Sequence, residues 1–80
     1  MGRYFFHLHD GDRLLEDHEG LECETPDTAE AFVVDTARDV MVGEIRAGRL
    51  NLGWYILISD AENATVRQVS FGDAVTVAGL

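Results

Sequence analysis

Six side chains near the start of the chain are of the types that metal or acid–base chemistry uses: His7, His9, Asp10, Asp12, Asp17 and His18. His7 and His9 are two residues apart, so on a strand they leave the same face, and carboxylates crowd the adjoining turn. Imidazole with carboxylate suits zinc or another first-row divalent ion, and the set this spacing offers is His7, His9, Asp10 and Asp12. The plainer expectation is two partly exposed strand histidines beside an Asp-Gly-Asp turn. The run from Asp10 is not an EF-hand loop, because Leu14 and Leu15 break the required series of oxygen ligands. Acid–base work would fall to Asp17 or Glu19 beside His18. It needs a concave pocket, and a two-layer domain of 80 residues has little volume for one. There is no Gly-rich phosphate loop, no G-x-S-x-G elbow, no H-E-x-x-H and no cysteine pair. The lone Cys23 has Glu22 and Glu24 as neighbours, poor company for a thiolate nucleophile. No catalytic residue and no cofactor follows from these residues, and the sequence assigns no reaction.

The elements that must position these groups are organised around a helix expected over Asp27 to Ala47. Ala29, Phe32, Val33, Thr36, Ala37, Val40, Met41, Glu44 and Ile45 recur at the i, i+3, i+4, i+7 spacing of one face, and all but Thr36 and Glu44 are apolar. Two starts fit. Asp27 as N-cap with Glu30 three residues on resembles a capping box, whereas Thr25 as N-cap would put Pro26 at the first helical position. Arg46 and Arg49 suit the negative end of the helix dipole, and Gly48 is placed to end the helix in the left-handed region.

Before the helix, Tyr4, Phe6 and Leu8 alternate with Phe5, His7 and His9 as a strand. Asp10-Gly11-Asp12 supplies a reversal, and Leu14-Leu15 starts a short second strand. Asp17 to Gly20 reads as another turn, and Leu21 to Glu24 either continues that strand or forms a third. After the helix, Leu50, Leu52, Trp54, Ile56 and Ile58 recur at every second residue, the period of a half-buried strand. Asp60 to Asn63 is a turn in which Asn63 suits a positive φ, and Thr65 to Phe71 pairs back. Ala74 to Val77 is a last short strand or a tail. The order ββαββ describes one α+β domain over residues 1–80, with two layers: a mainly antiparallel sheet of about four short strands and one long helix across it.

One helix covers one face of a sheet. With Tyr4, Phe6, Leu8, Trp54, Ile56 and Ile58 beneath it, Phe5, His7, Tyr55 and Leu57 point the other way and form a candidate interaction surface. Joining there, or along an edge strand, would make a homodimer or a complex with another protein. Val34 and Val42, off the core stripe, offer a second, weaker patch, the alternative being that Val34 simply flanks the core.

The net charge is −9, and the six basic residues are all arginines, scattered through the chain. Phosphate backbones and anionic lipids need clustered cations, so nucleic acid and membrane surface are not expected partners. An acidic regulator of a basic protein remains an alternative role. One cysteine, no leader-like apolar region and no run of membrane-spanning length make the cytoplasm the expected location.

Three stretches carry a resemblance over nearly the whole chain: the Arg-Tyr-Phe-Phe-His opening at Arg3 to His7, the Asp-x-x-Gly turn at Asp17 to Gly20, and Trp-x-Ile-x-Ile-x-Asp at Trp54 to Asp60. In this order, around an alanine-bearing helix that ends at Gly, they resemble a family of short bacterial proteins known as a domain of unknown function. Asn63 departs from that pattern, which has Gly there, although Asn also tolerates the left-handed region. The resemblance implies a compact bacterial domain, and no activity, cofactor or functional residue.

Overall fold

Alternating aromatic and polar residues make β1 (Gly2–His9) the spine of the sheet in the computed structural model, which describes residues 2–79. A turn closed by the Asp10 N–H donating to the Arg13 carbonyl at 3.0 Å leads into β2 (Leu14–Leu15). This strand pairs antiparallel with β1 through Leu8–Leu15 and His9–Leu14. The chain then leaves the sheet and returns as β3 (Leu21–Cys23), which pairs with the other end of the same β1 edge, Tyr4 opposite Leu21 and Gly2 opposite Cys23. After the helix, β4 (Tyr55–Ser59) pairs antiparallel with the free side of β1, Phe6 opposite Ile58 and His7 opposite Leu57. Strand β5 (Thr65–Ser70) then pairs with β4 and forms the outer edge. The sheet thus has five strands where about four were expected, because Leu21–Cys23 is a strand of its own. Strands β3 and β4 flank β1 and both run antiparallel to it, so the helix links two strands parallel to each other.

Helix α1 (Pro26–Arg46) starts from Thr25, whose hydroxyl accepts the Thr28 N–H at 3.1 Å, so of the two expected starts the Thr25-Pro26 one is adopted. It ends at Ala47, followed by Gly48 at φ +88°, the left-handed stop its position implied. The residues it buries are Ala29, Val33, Ala37 and Met41, a line spaced strictly by four. Small alanines on that line let the helix settle close to Ile56, Ile58 and Val69 of the sheet. This is narrower than the expected stripe. Phe32 is 45% exposed on the flank, its ring 5.3 Å from that of Phe6, and Ile45 in the last turn is 58% exposed.

The period-two reading after the helix is right for Ile56 and Ile58 and too long at its start. Leu50 and Leu52 are exposed in the connection, and the strand begins only at Tyr55. Asn63 takes φ +65° in the β4–β5 turn, where the Asp60 carboxylate accepts the N–H groups of Glu62 and Ala64 at 2.9 Å. Phe71, read from sequence as the end of the last strand, instead opens a short 3-10 helix (Phe71–Ala74). Its ring is fully buried and meets Trp54 edge-on at 5.9 Å, and Ala74 is buried beside the core. Among the described residues no helix is long and apolar enough to cross a membrane.

Candidate functional site

Between β2 and β3 the edge of β1 has no strand, and Asp17 takes that place. Its Oδ2 accepts the Phe6 N–H at 3.2 Å, while Oδ1 accepts the N–H groups of Glu19 at 3.1 Å and Gly20 at 3.3 Å. One carboxylate therefore serves the ladder and folds its own turn. Burial opposes the Asp17 charge, but the N–H groups of Gly20, Phe6 and Glu19 and the nearby His7 outweigh it, so its pKa lies below the ordinary carboxylate value. The Asp17 N–H in turn donates to His7 Nδ1 at 3.1 Å, which places the imidazole proton on Nε2. Gly20, at φ +72°, lies so close to β1 that an added Cβ would stand 2.9 Å from both the Phe5 ring and the Tyr4 carbonyl. The turn therefore rests on Phe5.

The face away from the helix carries cross-strand rows set by register: His9 beside Tyr55 and Ser70, His7 beside Leu57 and Gln68, Phe5 beside Ser59. The His9 and Tyr55 rings stack at 4.5 Å with 9° between their planes. Two shallow hollows open here, of about 300 and 220 Å³, and His7, Glu16 and Asn63 line both. The larger also takes in Leu14, Leu57, Ser59 and Thr65, and the smaller Asp17 and Asp60. Ser59 is the buried polar residue of this surface, 4% exposed.

Residues 3–72, from β1 to the 3-10 helix, match the family described as a domain of unknown function, DUF6894. The chain belongs to the DUF6894 family. No curated protein and no solved structure matches it.

In this DUF6894 domain the four residues of the sequence-derived metal set go separate ways. His7 is engaged with the Asp17 N–H and His9 with the Tyr55 ring. Asp10 Oδ2 lies 3.7 Å from Arg13, its Oδ1 is buried without a hydrogen-bond partner, and Asp12 is exposed in the turn. Among the described residues no three His, Cys, Asp or Glu side chains are grouped to hold a metal ion. His18 is open to solvent, its Nε2 4.0 Å from Glu16. Cys23 is buried in β3.

Phe5, His7, Tyr55 and Leu57 do share the face away from the helix, and all four are half-buried. The Asp17–Gly20 turn covers part of the face and His9 covers one side of Tyr55, so it is less open than one helix on one sheet implied. More exposed apolar side chains sit elsewhere. Val42, Ile45, Leu50 and Val77 line a groove of about 410 Å³ between the end of α1 and the C-terminal segment. Val34, paired with Val42 in the expected weaker patch, takes the other expected place and packs against the core. The sequence reading passed over Glu16, Ser59, Asn63 and Thr65. Period two from Leu57 already put Ser59 on the hollow's side and Thr65 arrives by pairing with it at the start of β5, whereas Glu16 and Asn63 arrive from connections whose paths no periodicity encodes.

Proposed function

We propose that this DUF6894 chain is a non-catalytic protein-interaction module of bacterial origin, working in the cytoplasm, that joins a second copy of itself through the face away from the helix or the open edge of β5. The observation that supports it is the unequal covering of the sheet. On one side α1 and the 3-10 helix bury Ile56, Ile58, Val69 and Phe71. On the other, Tyr55 and Leu57 have only a turn and side chains of their own sheet for cover, with Leu14 45% exposed nearby. Strand β5 adds six residues of outer edge that no other strand among the described residues pairs. The buried lone cysteine suits a reducing compartment.

Light scattering tests the reading. A dimer mass is expected for the wild-type protein at tens of micromolar. Tyr55→Glu or Leu57→Glu should give a monomer with an unchanged circular dichroism spectrum, since both residues are only half-buried. A wild-type monomer mass at the same concentration removes the self-association reading.

A further inference from the structure

The hollow beside Leu57 and Ser59 has a chemistry of its own. We propose that it is a socket for an arginine side chain presented by a protein partner, an inference that rests on the interaction reading and names what docks. Ser59 is 4% exposed and lines the larger hollow, and none of the hydrogen bonds among the described residues uses its hydroxyl. The hydroxyl keeps a little open surface at the hollow, where it can accept an incoming donor.

The charge around it is one-sided. Glu16, Asp17 and Asp60 line the two adjoining hollows, and no lysine or arginine does. Five of the chain's six arginines are engaged elsewhere, Arg3 with Glu22, Arg13 with Asp10, Arg49 with Glu44, Arg67 with Asp27 and Glu30, and Arg38 with the Ala74 carbonyl, and the sixth, Arg46, lies in the last turn of α1. Among the described residues Glu16 has only His18 within ion-pair reach, at 4.0 Å. An anionic guest would meet three carboxylates in a chain of net charge −9, whereas a cationic one would be drawn to them.

Guanidinium fits the remaining features. Its donors are spread over a plane, and the acceptors here are likewise spread over the Glu16 carboxylate, the Ser59 and Thr65 hydroxyls and the Asn63 amide oxygen. Leu14 and Leu57 supply an apolar wall for the aliphatic stem. At about 300 Å³ the hollow is at the small end for a ligand pocket, which suits one side chain better than a whole metabolite.

Nitrogen-15 NMR titration with N-acetyl-arginine methylamide, and with its citrulline counterpart as the neutral isostere, tests this. Saturable shifts at the Leu57, Ser59 and Thr65 amides are expected with arginine at low salt. The midpoint should rise at least tenfold with citrulline and in the exposed-site variant Glu16→Gln. No saturable shift at these amides, or equal response to arginine and citrulline, overturns the proposal. A monomer by light scattering that still takes arginine keeps the socket and removes self-association. A dimer unmoved by arginine does the reverse.

Discussion

Asp17 stands where a strand would otherwise run, and replacing it isolates what that carboxylate contributes. Its folded pKa is depressed. Its stabilisation is therefore complete above the ordinary carboxylate range and is lost as pH falls through the folded value. Asp17→Asn keeps a single acceptor oxygen for three N–H groups, and should be less stable than wild type at pH 7 by about 1–3 kcal/mol in urea unfolding. That gap should narrow as the pH falls below the ordinary carboxylate range toward the depressed folded value, because the wild-type carboxyl then takes up a proton too. A gap that stays constant with pH would mean that the charge contributes nothing. Glycines give a second contrast at this scale. Gly20→Ala meets both a positive φ and atoms at 2.9 Å, so a loss of more than about 1 kcal/mol is expected. Gly43, inside α1, has nothing within 4 Å of an added Cβ, and Gly43→Ala should raise stability by about 1 kcal/mol in the same assay.

At the level of elements, Phe71 joins the sheet, the 3-10 helix and Trp54, and it is the largest of the fully buried side chains. Phe71→Ala should lower stability by about 3–5 kcal/mol, enough to broaden or abolish the thermal transition of so small a domain. A loss under about 1 kcal/mol would show that the site collapses without penalty. How far this core could be read beforehand differs from element to element. The helix declared itself through its apolar period and its stop at Gly48, whereas its start stayed open between Asp27 and Thr25-Pro26 until the Thr25 hydroxyl was seen to accept the Thr28 N–H. Asn63 declared itself too, its positive φ being a local preference. Phe32 and Ile45 were placed on the wrong side because periodicity finds an apolar stripe but not its width. Alanines at 29 and 37 decide that width by how near they let the sheet come. Leu50 and Leu52 kept a strand's rhythm without a strand to pair with, and pairing is set by the whole sheet. For the hollow, Ser59 was legible from its alternation with Leu57. Glu16 was not, since its place depends on how Asp17 folds back on β1.

The whole molecule measures 40 × 24 × 17 Å and spreads a net charge of −9 over that small volume. Ion pairs such as Arg67 with Asp27 and Glu30 offset part of it where β5 meets the start of α1. The uncompensated remainder repels itself, so raising sodium chloride from about 20 mM to about 0.5 M at pH 7 should lift the melting temperature by roughly 2–4 °C. An unchanged or lower melting temperature would place the dominant electrostatics in the local pairs instead. The two margins of the sheet also differ in kind. Along β1, two short strands and a carboxylate occupy the outer side, whereas β5 ends the sheet with no further strand beside it among the described residues. Growth by strand addition therefore favours one side: two copies meeting through β5 would keep only the outer edges of β2 and β3, of two and three residues, and edges that short favour halting at a pair over running on into a filament.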